Sequence, residues 1–133
     1  MSEERGILGW GAYLPKGRLQ RKAVLAANAW FAPGLKGVAK GERAVAHWDE
    51  DTITMAVEAA RDELGEEAAP RATLSQVLLA STTHPFADRQ NAGVLASALN
   101  LPAALVSADL GGGQRAGTTA LRMALLQSGG TTL

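Results

Sequence analysis

The side chains best suited to chemistry in this sequence lie in two short polar stretches, at residues 81–85 and 111–114. The first contains Thr82 and His84, and the second places Gln114 directly after three glycines. An amide is neither a nucleophile nor an acid or base, so Gln114 can act only through hydrogen bonds. With backbone N–H groups at the start of a helix, its amide could stabilise a developing oxyanion. The alternative is that Gln114 only fills space.

His84, which precedes Pro85, also has two interpretations. It could line a tunnel or exchange protons with a substrate, but a structural or surface role is the commoner one for a single histidine. With no cysteine and only two isolated histidines, the sequence offers no disulfide, no thiolate and no metal site. The three glycines are not followed by the Lys of a phosphate-binding loop, and their spacing is not that of a dinucleotide fingerprint.

Composition narrows the class of protein further. The 133 residues are 47% hydrophobic and 20% charged, which is typical of one globular domain. Thirteen basic and thirteen acidic residues give a net charge of zero, and no basic stripe points to nucleic acid or to an anionic membrane surface. The charged N-terminus is unlike a signal peptide, and no apolar run approaches the roughly 20 residues that span a bilayer. We therefore expect a cytoplasmic protein.

The elements around the two polar stretches alternate between strand and helix. Apolar runs at 76–80 and 104–106 predict short buried strands that end just before each stretch. The intervening helix is predicted from Ala92, Leu95, Ala96 and Leu99, and a last helix, ending near Ser128, from Gly117, Ala120, Leu121 and Ala124. This order predicts an α/β fold with a mostly parallel sheet, in which ligands bind at the carboxyl ends of the strands.

The remaining elements are predicted in the same way. Residues 7–14 are expected to form a strand that ends at Pro15, and 31–42 and 66–73 to be connecting segments. Leu19, Ala23, Ala26 and Trp30 recur at helical spacing and predict one amphipathic helix. The clearest helix starts after Asp51 and ends at Gly65, with Ile53, Ala56, Val57, Ala60 and Leu64 on its apolar face. A strand is expected to begin at Thr131, and we expect the chain to be part of a longer protein.

Four segments in order resemble one known family, the 3-hydroxy-3-methylglutaryl-CoA synthase and β-ketoacyl-ACP synthase III branch of the thiolase superfamily. They are residues 6–15 (GILGWGAYLP), 41–46 with 49–56 (GERAVA and DEDTITMA), 80–86 (ASTTHPF) and 108–121 (ADLGGGQRAGTTAL). The resemblance implies a thiolase-like fold, with residues 1–133 as the N-terminal half-domain of an αβαβα layered sandwich. It also implies homodimers, and a catalytic His with an Asn or a second His in a second half beyond Leu133.

The resemblance also exposes two departures at catalytic positions. The family's acylated cysteine corresponds to Gln114, and the catalytic glutamate of the hydroxymethylglutaryl-CoA synthases corresponds to Thr82. Neither residue can do the family's work at neutral pH, so condensation through a cysteine thioester is not expected. In one feature, a glutamine in place of the active cysteine, the chain is similar to the decarboxylating loading ketosynthases of polyketide assembly lines.

The family resemblance implies a ligand as well. Related enzymes meet the coenzyme A nucleotide near the segment that contains Lys36, Lys40 and Arg43, whose charges suit its phosphates, and Trp30 could stack on adenine. The alternative is that these are solvated charges and a core tryptophan. No permanently bound cofactor is expected, with a coenzyme A thioester as substrate or ligand.

Two functional hypotheses from different classes remain open. In the first, the protein is an acyltransferase-family enzyme of lipid or polyketide metabolism that acts on acyl-CoA or acyl carrier protein, by decarboxylation with help from Gln114 or by cysteine-independent acyl transfer. In the second, it is a catalytically silent thiolase-fold subunit that binds acyl-CoA or holds a partner, such as a thiolase or an OB-fold acyl-CoA-binding domain. We expect residues 1–133 to fold poorly alone, because an apolar packing surface would be exposed.

Overall fold

The structure, a computed structural model, describes residues 5–65, 67–127 and 129–133. The chain divides into two compact units, Leu14–Glu50 and a larger one that joins Asp51–Leu133 to the segment before Leu14. The elements in chain order are β1 (Gly17–Gln20), α1 (Arg21–Asn28), a 3-10 helix (Pro33–Gly37), β2 (Glu42–Val45), α2 (Thr52–Leu64), α3 (Ala68–Ala72), β3 (Leu74–Ala80), α4 (Asn91–Ala98), β4 (Val106–Leu110), α5 (Ala116–Leu126) and β5 (Thr131–Thr132).

The larger unit is built on a parallel sheet with the strand order β4-β3-β5. The apolar β3 takes the central place, with Val77 fully buried. Helices α4 and α5 contact the sheet, and α2 packs against α4. The core consists of Ile53, Val57, Ala60, Val77, Leu79, Ala92, Leu95 and Leu99. The parallel sheet and its helices confirm the predicted α/β class.

Helix α2 shows why the sequence around it is easy to interpret. The Asp51 side chain accepts a hydrogen bond from the Thr54 N–H at 2.8 Å, and the Thr54 hydroxyl accepts one from the Asp51 N–H at 2.8 Å. This reciprocal capping box satisfies two backbone donors that a helix start leaves free. Gly65 ends the helix with φ +62°, a conformation that disfavours other residues. The predicted start, end and buried face are confirmed.

The predicted strand at residues 7–14 is wrong. This segment has no ladder partner among the described residues, and its large apolar side chains Ile7, Leu8, Trp10 and Leu14 are exposed. It lies against α2 instead, where the Ala12 N–H donates to the Asp62 carboxylate at 3.0 Å. A Cβ at Gly11 would collide with the carbonyl oxygen of Ala59, so the glycine permits this close approach. Backbone contact with a helix therefore replaces strand pairing.

The smaller unit also differs from its prediction. The predicted helix is confirmed at α1, but Leu19 lies in β1 and Trp30 lies beyond the helix. Because α1 has no buried residue, its predicted apolar face does not pack into a core. Within the predicted connection, Pro33 opens a 3-10 helix, because proline fits the first turn of a helix. The strand β2, which was not predicted, pairs antiparallel with β1.

Smaller corrections concern the larger unit. Strand β4 begins at Val106 and not at residue 104, because the Leu105 N–H is used in a turn to the Pro102 carbonyl at 3.0 Å. In α5 the buried residues are Ala116 and Ala120, while Gly117 and Leu121 are exposed.

The remaining predictions concern α4, β5 and the connection 66–73. The helix at α4 and the strand at β5 are confirmed, and a short helix, α3, interrupts the predicted connection 66–73. Glu66 and Ser128 lie outside the described residues. None of the helices found in the described ranges is both long and apolar enough to cross a bilayer.

Candidate functional site

Strands β3 and β4 end side by side, and both polar stretches follow from that edge. The ladder pairs Ala80 with Leu110, the last residue of each strand. The loop of residues 81–90 then leads to α4, and the turn of residues 111–115 leads to α5. As the parallel topology predicts, the structure therefore brings the segments of Thr82 and Gln114 to the same edge of the sheet.

Hydroxyl groups hold the start of the loop 81–90. The Thr52 hydroxyl donates to the Thr83 carbonyl at 2.8 Å and lies 3.2 Å from the hydroxyls of Ser81 and Thr83. The Thr83 N–H donates to the Ser81 hydroxyl at 3.0 Å. Because Thr52 is the first residue of α2, the loop is tied to the beginning of that helix. Thr82, between the two bonded residues, is exposed.

His84 ties the same loop to the end of β4. Its Nε2–H donates to the Leu110 carbonyl at 3.2 Å, and the Ser81 N–H donates to the same oxygen at 3.0 Å. The ring lies over Gly111, where an added Cβ would be 3.4 Å from the ring Cδ2. Since Nε2 carries the hydrogen, Nδ1 is an acceptor in the neutral ring; it is buried and has no partner among the described residues. These contacts give His84 a structural role.

Asn91 fastens the end of the loop. This first residue of α4 is only 2% exposed, although its side chain is polar. Its Oδ1 accepts from the Phe86 N–H at 3.0 Å, and its Nδ2 donates to the Phe86 carbonyl at 3.0 Å. The same Nδ2 donates to the Asp109 carboxylate at 2.9 Å. One amide side chain therefore joins the loop to β4.

Asp109, the fourth residue of β4, completes this arrangement. Its carboxylate accepts from the N–H groups of Asn91 at 2.8 Å and Ala92 at 2.7 Å, so it caps the start of α4. Burial alone would raise the pKa of Asp109, but the hydrogen bonds from Asn91 and Ala92 outweigh it, and the charge of His84 adds to them. The pKa of Asp109 is therefore lower than usual.

The turn of residues 111–115 has fewer side-chain hydrogen bonds than the loop 81–90. Gly112 has φ +83°, which explains a glycine at that position, and the Ala116 N–H donates to the Gly113 carbonyl at 3.1 Å. Gln114 is exposed, and no hydrogen bond joins its side chain to any described residue. Within the described ranges, no side chain caps α5, which starts two residues after Gln114. The amide of Gln114 is thus available to a ligand beside the start of a helix.

The residues predicted to meet coenzyme A all belong to the smaller unit. Lys36 lies in the 3-10 helix and Arg43 in β2, and both are exposed, as is Lys40. None of the three forms an ion pair with a described residue. Trp30 is 86% exposed, so it is not a core tryptophan, and its ring lies 5.7 Å from that of Phe31. The unit Leu14–Glu50 carries seven of the thirteen basic residues and three of the thirteen acidic ones.

Asn91 and Asp109 were missed by the sequence analysis. The pattern that could have found Asp109 is a charged residue in an apolar strand, because such a group needs partners when it is buried. Asn91 offers a weaker pattern, a polar residue at the start of an apolar helix. In the described parts of the chain, no group of three or more possible ligands could hold a metal ion.

Among known proteins, no family model matches this chain, but curated relatives do. A hydroxymethylglutaryl-CoA synthase from Methanocaldococcus jannaschii is 36% identical over 129 residues, which cover 93% of this chain and 37% of that protein. The corresponding synthase from Methanobrevibacter smithii is 32% identical over 123 residues, covering 90% of this chain and 35% of that protein. The chain thus spans little more than a third of the length of these curated relatives.

Solved structures agree with this match. A hydroxymethylglutaryl-CoA synthase solved in complex with CoA superposes with a TM-score of 0.78 at 23% identity, covering 92% of this chain and 32% of that one. The β-ketoacyl-[acyl carrier protein] synthase III of Thermus thermophilus gives a TM-score of 0.70 at 26% identity, covering 90% and 37%. The chain is therefore a homologue of the hydroxymethylglutaryl-CoA synthases, with the thiolase-like fold of their N-terminal part.

Proposed function

We propose that the protein acts on coenzyme A thioesters and decarboxylates a malonyl thioester with the help of Gln114. The observation that carries this proposal is the exposed amide of Gln114, which has no hydrogen-bond partner among the described residues and stands at the uncapped start of α5. In the family that the chain resembles, this position holds the acylated cysteine. Its replacement removes the nucleophile but leaves a hydrogen-bond donor at the same edge of the sheet.

The chemistry requires no nucleophile. When the bond between the carboxylate carbon and C2 of the malonyl group breaks, CO₂ leaves and the electron pair forms an enolate on the thioester oxygen. The N–H of Gln114 and the backbone N–H groups of the first turn of α5 would donate to that oxygen. Protonation at carbon by water gives the acetyl thioester. The net reaction consumes one malonyl thioester and one proton and yields an acetyl thioester and CO₂.

Binding of the coenzyme would fall to the smaller unit. Lys36, Lys40 and Arg43 are exposed cations without ion-pair partners in the described chain, which suits contact with phosphates. The exposed ring of Trp30 would stack on adenine. One structural neighbour was solved in complex with CoA, which supports this class of ligand. The coenzyme is a substrate here and not a resident cofactor.

An acyl carrier protein is a second source of the thioester. A hydroxymethylglutaryl synthase of the curacin biosynthetic pathway, solved in complex with a donor acyl carrier protein, superposes on the chain with a TM-score of 0.77 at 21% identity. The family resemblance further supports a homodimer, and a thiolase or an OB-fold acyl-CoA-binding protein is the proposed partner if the chain has lost catalysis.

The second candidate function is a catalytically silent subunit that binds acyl-CoA or holds such a partner. The observation that favours it is the double departure at Thr82 and Gln114. Both positions are exposed, and neither carries the family's catalytic group. Binding of thioesters without turnover would be the expected property of such a subunit.

Incubation of the intact protein with malonyl-CoA or acetyl-CoA, followed by mass spectrometry of the products, tests the two candidates. The proposal predicts acetyl-CoA from malonyl-CoA, and loss of this product in Gln114→Ala. Gln90→Ala is the control for loss of an amide at the same edge that is already bonded, in this case to Ser107 of β4. Absence of turnover with either thioester, alongside measurable binding, would support the silent subunit instead.

A further inference from the structure

We propose that Asn91 is a positioning residue that, with Asp109, fastens the loop 81–90 to β4 and so sets where Thr82 stands relative to Gln114. The expected effect of Asn91 on kcat rests on the proposed function, whereas its structural effect on the loop does not. Neither residue corresponds to a catalytic position that the family resemblance identifies.

Both polar atoms of the Asn91 side chain bind the loop. Its amide binds both the N–H and the carbonyl of Phe86, each at 3.0 Å, which fixes the backbone of the loop at that residue. The loop then has fixed points at Thr83, His84 and Phe86. Of these, the contact at Phe86 is the one that depends on a single side chain from α4.

Asp109 orients this amide. Because a carboxylate only accepts hydrogen bonds, it selects the Nδ2 side of Asn91, which it meets at 2.9 Å, and leaves Oδ1 for the Phe86 N–H. Its other contacts, to the N–H groups of Asn91 and Ala92, hold the carboxylate itself in place. The orientation of Asn91 is therefore set by β4, the strand that also leads into the turn of Gln114.

The surrounding charges allow a specific test. His84 is the titratable group whose charge acts on Asp109. Of the elements packed against β4, α4 and β3 carry no titratable side chain, and α5 carries Arg122. Asp88 and Arg89 of the same loop are exposed and pair with one another at 3.0 Å. In Asn91→Asp a second carboxyl would stand beside Asp109, where two negative charges repel. Protonation of that pair restores a donor between residues 91 and 109, so acidification should repair this variant.

The experiment compares Asn91→Ala, Asn91→Asp and Gln90→Ala in the intact protein. Gln90, the last residue of the loop, is a matched control because its side chain joins the loop end to Ser107 of β4, through bonds of 2.7 and 2.6 Å, without binding Phe86. Amide hydrogen exchange is followed at the Phe86 N–H, which Asn91 binds directly. Asn91→Ala removes both bonds to Phe86 and should speed exchange there by about tenfold or more, whereas Gln90→Ala should not.

The second readout is the pH profile. Relative to the unsubstituted protein at each pH, Asn91→Asp should show fast loop exchange at about pH 8 and slower exchange at about pH 5.5. The kcat for malonyl-CoA decarboxylation should fall by about tenfold in Asn91→Ala, with KM changed less than about twofold, and should recover with acid in Asn91→Asp. A merely structural role would lower the melting temperature without this pH-dependent recovery.

The two proposals fail in distinguishable ways. If the unsubstituted protein does not turn over malonyl-CoA, the proposed function fails, and the exchange data still decide about Asn91. If Asn91→Ala does not fold, the exchange profile of Asn91→Asp decides. Loop exchange unchanged in Asn91→Ala, or a profile of Asn91→Asp that follows the unsubstituted protein at every pH, would overturn the positioning role.

Discussion

The loop 81–90 and the turn 111–115 leave the same edge of the sheet, yet they are held very differently. The loop is tied to α2 through Thr52, to β4 through His84 and to α4 through Asn91. In the turn, the Gly113 carbonyl accepts from the Ala116 N–H at 3.1 Å, and the Arg115 carbonyl accepts from the Thr119 N–H and the Thr118 hydroxyl, each at 2.9 Å. The side chain of Gln114 has no partner among the described residues.

The two segments therefore suit different tasks. The loop 81–90 holds a residue in a fixed position, and the turn 111–115 presents a free polar side chain. Side-chain hydrogen bonds keep the loop's backbone in one conformation, which is the condition for a residue that must be aligned with a substrate. In the turn, the backbone conformation is selected by Gly112 with its positive φ, while the polar group that could meet a substrate stays free. A site that acts through hydrogen bonds requires both a fixed backbone, as in the loop 81–90, and a free polar side chain, as at Gln114.

We expect the largest loss of stability at Asp109, which helps to hold the loop 81–90. Asp109→Ala removes three hydrogen bonds to a carboxylate and leaves the amide of Asn91 and two backbone N–H groups without an acceptor. We expect the free energy of unfolding to fall by about 2–3 kcal/mol, measured by denaturant unfolding. Asp88→Ala, which breaks only an exposed ion pair, should leave it unchanged. Equal losses in the two variants would contradict the comparison.

A smaller effect is expected in the turn. Ala at Gly112, where φ is +83°, should cost about 1–2 kcal/mol, because an L side chain is strained in that region. Ala at Gly113 has open space and should stay within about 0.5 kcal/mol. Thermal unfolding of both variants checks this, and a Gly113→Ala penalty as large as that of Gly112→Ala would contradict the selection of Gly112 by its positive φ.

Acid should also reduce the contribution of Asp109 to the free energy of unfolding. The pKa of Asp109 is lower in the folded state than in the unfolded chain, so its stabilising contribution is complete above the unfolded pKa near about 3.9. The contribution is lost as the pH falls below that value and through the folded pKa. Unfolding measured from about pH 6 to pH 2 should therefore be less pH-dependent in Asp109→Asn. An identical slope in both proteins would contradict this assignment.

The smallest effect on stability is expected at Gln114. Since its exposed side chain has no partner in the described residues, Gln114→Ala should change the free energy of unfolding by less than about 0.5 kcal/mol. A loss well above this value, measured by the same denaturant titration, would mean that the amide is a structural element of the turn.

Much of the fold could be predicted from local sequence. The capping box at Asp51, the glycine at the end of α2 and the apolar run of β3 each act through neighbours a few residues away, so they are readable along the chain. The strand predicted at residues 7–14 fails because its conformation depends on Asp62 and Ala59, fifty residues later. The same holds for Asn91, whose partners Phe86 and Asp109 meet only when β4 lies beside the loop.

The candidate site divides in the same way. Thr82 and Gln114 were found from the family resemblance and from their place after apolar runs, and the topology brings their segments to one edge as predicted. The roles of Thr82, Gln114, Lys36, Lys40, Arg43 and Trp30 remain predictions. The contact of His84 with the Leu110 carbonyl depends on the register of two strands, which no local pattern specifies.

The most direct test of the account is malonyl-CoA decarboxylation by the intact protein compared with Gln114→Ala and Gln114→Glu. Glutamate keeps the size of the side chain but replaces its N–H donor with an acceptor that repels an enolate. The account predicts that both variants lose turnover by about 100-fold or more, as for the removal of an oxyanion donor, while remaining as stable as the unsubstituted protein. Turnover that survives in either variant would contradict a catalytic role for the amide of Gln114.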